Sequence, residues 1–366
     1  MKFIFTCGGT GGHVSPALAI AEEIRKKSEN AQILFICRSG GNESFPVQKL
    51  GYDVKFLNVQ GIERRISPKN LRSIVLALSA EIKTRKIISD FKPDAVIGTG
   101  GYVCWPVLHA ASAMGIPTLL HESNSVPGLV TRLLSKRVST LAVSSEECKK
   151  QLKCKDNVKV LGNPVSERFF KASRKSSRER LKIRDGEVYI LSFGGSGGAQ
   201  KVNDVICEVI KSYSSKTPNV KHTHACGARY FKDYEGVKFK NCNVIPYIEN
   251  MPERLAAADI VICRCGAMTL SEICATGAAA ILIPSPNVTN NHQYRNGLAL
   301  KQRGAAVMIE EKDLTESSLK AAIDELVRDE NKRKTLIFAT KNCADSKSSE
   351  RIAKEIITLT KQGRSR

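Results

Sequence analysis

Cys7-Gly8-Gly9-Thr10-Gly11-Gly12-His13 follows the apolar run Lys2-Phe3-Ile4-Phe5-Thr6 and leads into Ala17-Leu18-Ala19-Ile20-Ala21-Glu22-Glu23-Ile24, a helical pattern. A strand, a glycine turn and a helix start bring backbone close to an anion, with unsatisfied N–H groups and the positive end of the helix dipole pointing at it. The corner recurs where Val188-Tyr189-Ile190-Leu191-Ser192-Phe193 feeds Gly194-Gly195-Ser196-Gly197-Gly198 and a helix from about Ala199. Neither loop is a G-x-G-x-x-G fingerprint, because the third glycine falls on Val14 or Gln200, and there is no Gly-Lys-Ser/Thr of a Walker loop. One such loop alone is as well read as a structural turn. Its repetition predicts two similar half-chains facing one ligand.

Outward from these corners, strands and helices alternate along the chain. Runs at 31–37, 53–59, 94–97, 117–120, 138–143 and 158–161 read as strands of the first half. Those at 188–193, 220–225, 244–245, 259–263 and 280–284 read as strands of the second. Helices are expected near 315–328, 331–342 and 347–360. This alternation predicts parallel sheets covered by helices in both halves. Gly98-Thr99-Gly100-Gly101 is a third glycine corner, and His121-Glu122-Ser123-Asn124 ends a strand where an α/β sheet usually holds its ligand. A loop hydrogen-bond network is the plainer reading of those four residues.

Length and composition narrow the class. A chain of 366 residues predicts two or three domains, and 42% hydrophobic with 25% charged residues is ordinary for a globular protein. No apolar run approaches 18 residues, and the N-terminus lacks the pattern of a secretion signal, so a cytoplasmic location is expected. Twelve scattered cysteines fit reduced thiols, and Cys263-x-Cys265 lacks the further ligands of a zinc site. The formal charge of +21 points to an anionic partner: nucleic acid, membrane surface or phosphorylated substrate. Residues 149–184 carry thirteen Lys or Arg against three acids and read as an interdomain linker.

Between Gly61 and Lys92 eight Lys or Arg stand against three acids, and Ser67-Pro68 offers an N-cap followed by proline at the first helical position. Leu71, Ile74, Val75, Leu78 and Ile82 follow at helical spacing. A core-facing stripe with a solvated basic back is the plainer expectation. The alternative lays Leu71, Ile74, Val75 and Leu78 on an anionic bilayer, with Arg72, Lys83, Arg85 and Lys86 toward the lipid headgroups.

The ordered motifs Gly8 to His13, Gly100-Gly101-Tyr102-Val103, His121 to Asn124, Gly162-Asn163-Pro164-Val165, Gly194-Gly195-Ser196, Arg264-Cys265-Gly266-Ala267-Met268-Thr269-Leu270-Ser271-Glu272 and Asn291-His292-Gln293 resemble the MurG family of peptidoglycan glycosyltransferases, glycosyltransferase family 28. The resemblance runs from residue 1 to about 345. It implies the α/β GT-B fold, two Rossmann-like doubly wound parallel-sheet domains with an interdomain cleft. Residues 1–163 would form the acceptor and membrane-side domain, 164–345 the UDP-GlcNAc domain, and 346–366 a helix and basic tail packing back on the first. The implied reaction moves GlcNAc from UDP-GlcNAc to the C4 hydroxyl of MurNAc in lipid I, with inversion, giving lipid II. The implied setting is the cytoplasmic face of the cell membrane, peripherally, in contact with a cell-wall or division complex.

By position, the resemblance assigns the donor site to Thr10, Gly11, Gly12, Asn124, Ser196, Ile248, Ala267, Met268, Thr269, Leu270, Ser271, Glu272 and Gln293. Backbone N–H groups near Ser196 and Ala267 to Thr269 would hold the diphosphate, Glu272 the ribose hydroxyls, and backbone at Ile248 the uracil edge. Ser166 stands where many relatives carry arginine, with Arg168 nearby. The sequence contains no Asp-x-Asp, so neither metal nor cofactor is expected, and helix N-termini would meet the leaving-group charge. The acceptor hydroxyl must lose a proton as it attacks. His13 is the first choice of base, since a helix N-terminus disfavours imidazolium. Glu122 competes, as base or as the group orienting His13. A UDP-GlcNAc 2-epimerase or a glycolipid galactosyltransferase would share the nucleotide site. A nucleic-acid binder is disfavoured by 6% aromatics and by the dispersal of the basic residues.

Overall fold

The computed structural model describes residues 1–9, 11–41, 44–61, 68–237 and 239–364, with backbone alone at 68, 69, 363 and 364. It divides into one unit of residues 1–166 and 347–366 and a second of 167–346.

The first unit is built on seven parallel strands: β1 (Lys2–Thr6), β2 (Gln32–Arg38), β3 (Asp53–Leu57), β4 (Ala95–Gly98), β5 (Thr118–Glu122), β6 (Thr140–Val143) and β7 (Val158–Val160). Their order is β3-β2-β1-β4-β5-β6-β7. Both faces are covered, so each strand sends alternate apolar residues to opposite cores. Phe3, Phe5, Ile33 and Phe35 join one cluster, with Ile20 and Ile24 of the helix Gly11–Lys27. Ile4, Leu34, Ile36 and Val96 join the other, with Val107 and Leu108 of the helix Cys104–Ala113. The register Phe5 opposite Phe35 stacks their rings at 5.3 Å.

The helix Ser348–Arg364 belongs to this unit, packing Ile352, Ala353, Ile356 and Leu359 beside the helix Gly11–Lys27. Its Glu355 accepts from Thr140 Oγ1 at 2.8 Å and pairs with Lys159 at 2.8 Å.

The second unit has six strands: β8 (Val188–Phe193), β9 (Val220–Ala225), β10 (Cys242–Ile245), β11 (Ile260–Cys263), β12 (Ala279–Leu282) and β13 (Ala306–Met308), in the order β10-β9-β8-β11-β12-β13. The short β13 was not anticipated, since three residues carry no readable period. The helix Gln200–Ser212 buries Val202, Val205, Ile206, Val209 and Ile210, an i, i+3, i+4, i+7, i+8 stripe, on this sheet.

In each sheet the chain leaves the first strand, builds to one side, then crosses back to build on the other. The crossings make a switch point between β1 and β4 and another between β8 and β11, the positions at which open α/β sheets usually hold their ligands.

Two expectations are corrected. The division between the two units falls inside the stretch 149–184, at 166–167, but the stretch is not an irregular linker, because it contains β7 and the helices Glu167–Lys171 and Arg174–Arg180. Two of its arginines are structural: Arg174 and Arg178 bind the two oxygens of Asp259 at 2.6 and 2.9 Å, and Asp259 also accepts from the Tyr189 N–H. The stripe on the helix Pro68–Phe91 does not face the core. Leu71 is 68% exposed and Ile82 72%, with Ile74, Val75 and Leu78 also exposed. The packed face carries Ser73, Ala80, Thr84 and Ile88, mostly small residues that let the helix lie close against Cys104–Ala113. Ser73 Oγ donates to the Gly61 carbonyl at 3.0 Å, and Thr84 Oγ1 to its own helix at Ala80.

Candidate functional site

At the first switch point the loops after β1 and β4 touch backbone to backbone. Gly8 N–H donates to the Gly100 carbonyl at 3.2 Å, and Thr99 N–H to Thr6 at 3.1 Å. Gly101, at φ 91°, lies so close that a Cβ there would stand 2.1 Å from the Gly8 oxygen, so only glycine fits. The buried Cys104 thiol sits beneath, donating toward the Thr6 and Gly100 carbonyls; burial pushes it up to about 12, so it is a neutral donor.

His13 is the third residue of the helix Gly11–Lys27 and is half-buried. Its ring Nδ1 lies 2.7 Å from the Gly8 carbonyl, which can only accept. The proton is therefore on Nδ1, and in the neutral ring Nε2 is the basic nitrogen. The ring lies against Gly100, where a Cβ would come within 2.4 Å of Cδ2, and the His13 carbonyl accepts from Thr99 Oγ1 at 2.6 Å. Gly11 and Gly12 open the same helix and are exposed. Thr10 lies outside the described residues.

Glu122 ends β5 and is buried with both carboxylate oxygens engaged. Oε1 accepts from the N–H and the Nδ2 of Asn124, each at 3.0 Å, and Oε2 from Gly128 N–H at 2.9 Å and Thr131 Oγ1 at 2.6 Å. Four donors to one carboxylate make it the organiser of the loop 122–131, which carries Asn124. Next to it, His121 Nε2 donates to the Gly162 carbonyl at 3.0 Å, and Asn163 Nδ2 to Ser123 at 3.2 Å, tying the 162–164 segment to the end of β5. Burial lowers the His121 pKa and keeps the ring neutral. Ser166 Oγ donates to Glu22 at 2.8 Å within this unit, and Arg168 is exposed in the second.

At the second switch point, β8 ends in the exposed loop bearing Ser196, and β11 ends in Arg264-Cys265-Gly266 before the helix Ala267–Thr276. No side chain caps that helix start, so its first N–H groups have no side-chain acceptor, an arrangement of the kind that suits an anion. Met268 and Leu270 are buried in the core and can offer only backbone, whereas Ala267, Thr269, Ser271 and Glu272 are partly exposed. Arg264 fixes the turn through Glu311 and the carbonyls of Ile283 and Pro284. Gln293 Oε1 accepts from Ser285 N–H at 2.9 Å, joining the loop after β12 to the helix His292–Gln302. Asn296 Nδ2 of that helix reaches the Cys265 carbonyl at 3.2 Å. Ile248 has a buried side chain on the loop after β10, before the helix Met251–Ala257 that packs on Ala267–Thr276.

Sequence reading missed what supports the 194–198 loop. Gly198 sits on the Cys226 carbonyl, where a Cβ would come within 2.2 Å, and Gly227 closes against it. Asn203 Nδ2 holds that carbonyl at 2.9 Å. Behind Asn203 runs a buried chain: His224 Nε2 to Asn203 Oδ1 at 3.1 Å, Ser192 Oγ to His224 Nδ1 at 2.9 Å, His222 Nε2 to Ser192 Oγ at 2.8 Å, and Ser214 Oγ to His222 Nδ1 at 3.1 Å. Every donor meets one acceptor only if both rings are neutral, and burial pushes His222 down to about 3 and His224 to about 4. The only signal in sequence was the alternate polar side chains of β9, His222 and His224.

Arg72, Lys83, Arg85 and Lys86 are exposed on the helix Pro68–Phe91 with the apolar stripe. Lys83 donates to the Phe56 carbonyl at 3.0 Å, and Arg85 pairs with Glu81 at 2.9 Å. Among the described residues no helix is long and apolar enough to cross a membrane, and no group of three or more His, Cys, Asp or Glu is placed to hold a metal ion.

Comparison with known proteins places these features in context. Residues 3–143 match the glycosyltransferase family 28 N-terminal domain, and residues 189–356 its C-terminal domain. The chain is 41% identical to the UDP-N-acetylglucosamine--N-acetylmuramyl-(pentapeptide) pyrophosphoryl-undecaprenol N-acetylglucosamine transferase of Acetivibrio thermocellus, over 99% of each chain. It is 45% identical to the protein of the same name from Thermoanaerobacter sp., over 87% of this chain and 89% of that one. A crystal structure of MurG from Acinetobacter baumannii is similar with a TM-score of 0.72 and 25% identity, covering 98% of this chain and 100% of that one.

Proposed function

The chain belongs to glycosyltransferase family 28, and on that premise we propose that it moves GlcNAc from UDP-GlcNAc to the C4 hydroxyl of MurNAc in undecaprenyl-diphosphoryl-MurNAc-pentapeptide, giving lipid II. The observation that carries this reading is 41% identity over 99% of both chains with an N-acetylglucosamine transferase of that donor and acceptor.

The acceptor C4 oxygen attacks the anomeric carbon as the bond from that carbon to the UDP phosphate oxygen breaks on the opposite face, so configuration inverts. The hydroxyl proton passes to Nε2 of His13, the basic nitrogen left by the Nδ1 bond to Gly8. Charge on the departing diphosphate meets the uncapped N–H groups of the helix Ala267–Thr276, equivalent to about half a positive charge. Glu272 accepts from the ribose hydroxyls, and Ser196 with its glycine loop closes on the phosphates. Glu122 is assigned as a positioning residue rather than the base, because four donors already hold it.

The exposed stripe of the helix Pro68–Phe91 supports peripheral binding at the cytoplasmic face of the membrane, where the acceptor is anchored. Burying a Leu or Ile side chain contributes about 1.5–3 kcal/mol. Each basic residue near anionic lipid adds about 1 kcal/mol. The apolar stripe therefore supplies most of the affinity and the basic residues steer it. Contact with a cell-wall or division complex fits this location.

Incubation with UDP-GlcNAc alone and with a lipid I analogue separates the reading from its rivals. The transferase releases UDP only when the acceptor is present, whereas a 2-epimerase converts the donor on its own.

A further inference from the structure

The 194–198 loop rests on one backbone oxygen. The Cys226 carbonyl lies under Gly198, and Gly227, at φ 91°, packs against the Gly198 backbone. Gly198 N–H turns back to the Gly195 carbonyl at 3.0 Å, so Ser196 lies in the turn that Gly198 closes. The Cys226 N–H is held by the Ile245 carbonyl at 3.1 Å, and the Cys226 carbonyl by Asn203 Nδ2 at 2.9 Å, from the first turn of the helix Gln200–Ser212.

That grip depends on which way round the Asn203 amide lies. A carbonyl only accepts, so the NH2 group faces Cys226 and Oδ1 faces His224 Nε2, 3.1 Å away. Turned over, the amide would set its oxygen against the Cys226 oxygen. Oδ1 also only accepts, so His224 carries its ring proton on Nε2. In a neutral ring Nδ1 then accepts, and its donor is Ser192 Oγ at 2.9 Å, the residue opposite His224 in the register of β8 and β9. With its own proton committed, the Ser192 oxygen accepts from His222 Nε2 at 2.8 Å, and His222 Nδ1 accepts from Ser214 Oγ at 3.1 Å. All five side chains are buried within the second unit, so each depends on its neighbours in the chain for partners. Each link fixes the direction of the next.

We propose that His224 is a positioning residue for the donor. Held in its Nε2–H form by Ser192 and His222, it locks the Asn203 amide against the Cys226 carbonyl, keeps the floor of the 194–198 loop in place, and so sets the affinity for the diphosphate of UDP-GlcNAc. This rests on the reading above in which that loop closes on the phosphates. Burial keeps both rings neutral, with His222 down at about 3 and His224 at about 4, so the direction of the chain holds at neutral pH. A leucine at 224 would fill similar space but leave Asn203 Oδ1 without its donor and the amide able to turn over.

The test measures UDP binding to the full chain by calorimetry, steady-state kinetics with UDP-GlcNAc and a lipid I analogue, and denaturant stability. His224→Leu should weaken UDP binding and raise the KM for UDP-GlcNAc by about two- to tenfold, as for one lost buried hydrogen bond, with the acceptor KM unchanged. His224→Gln should recover most of that loss, because its amide N–H reaches the place of Nε2. Nitrogen-15 spectra of the histidine-labelled wild type, with the His224 signals identified by their loss in His224→Gln, should show the proton on Nε2. Ser192→Ala, which removes only a hydroxyl, serves where His224→Leu does not fold: it should spread the His224 proton over both nitrogens and weaken UDP binding in the same direction. Wild-type UDP affinity in the folded variants, whatever their stability, would overturn the proposal. So would a glutamine variant as weak as the leucine one, or a wild-type proton on Nδ1. Failure of the wild type itself to bind UDP would instead overturn the donor reading on which the proposal rests.

Discussion

At the residue scale the proposed transfer turns on which nitrogen of His13 carries the proton. With Nδ1–H bound to Gly8, replacement by alanine would remove the proposed base. His13→Ala should lower kcat by about 10² to 10⁴ with UDP affinity nearly intact. Loss of UDP affinity at unchanged kcat would make His13 a donor ligand instead. Glu122→Gln tests the division of roles, because an amide puts N–H groups against donors that now point at Oε1 and Oε2. Its kcat should fall while the acidic limb of the pH profile stays where it is. Movement of that limb would return Glu122 to the role of base. Glu272→Ala should weaken UDP binding about ten- to a hundred-fold, since a hydrogen bond to a charged acceptor is worth about 1.5–3 kcal/mol. Unchanged calorimetric affinity for UDP would refute the ribose assignment.

At the element scale, the glycine corners and strands were legible because both signals are local. A buried parallel strand is a short apolar run, and a strand-to-helix turn that admits only glycine announces itself, as Gly8-Gly9 and Gly194-Gly195 do. The orientation of the helix Pro68–Phe91 was not legible. Most of its large residues form the outer face, and its packed face is mainly the small Ser73, Ala80 and Thr84 with Ile88, which no hydrophobic period reveals. Likewise the floor under the 194–198 loop depends on a carbonyl, that of Cys226, and a carbonyl has no letter of its own. The helix makes a prediction with two possible scales. Leu78→Ser should change stability by less than about 0.5 kcal/mol, as for a surface site. A core position would lose about 2–5 kcal/mol. Replacing Leu71, Leu78 and Ile82 together by serine should abolish co-sedimentation with anionic vesicles. Replacing Arg72, Lys83, Arg85 and Lys86 by glutamine should weaken it only at low salt. Retention of vesicle binding by the serine variant would remove the helix from the membrane.

At the scale of the whole molecule, the net charge of +21 fits the proposed work at an anionic surface on diphosphate-bearing substrates, and part of it belongs to the arginine pair that binds Asp259. Acid stability follows from the buried histidines of the second unit. Both folded pKa values, about 3 and about 4, lie below the unfolded value near 6.5, so unfolding takes up protons in between. The stability these neutral rings contribute is fully present above pH 6.5 and is lost as pH falls toward 4, by up to about 1.4 kcal/mol per pH unit for each ring. Denaturant unfolding at pH 7 and pH 5 should show the loss, and His222→Gln with His224→Gln should flatten it; an equally steep loss in that variant would place its origin elsewhere. The central claim concerns the bond that is made. It is tested by incubating the protein with UDP-GlcNAc and a lipid I analogue and determining the product by mass spectrometry and NMR. The expected product carries one added N-acetylhexosamine, joined to C4 of MurNAc with the anomeric configuration inverted from that of the donor. An unmodified acceptor, a linkage elsewhere, or retained configuration would contradict it.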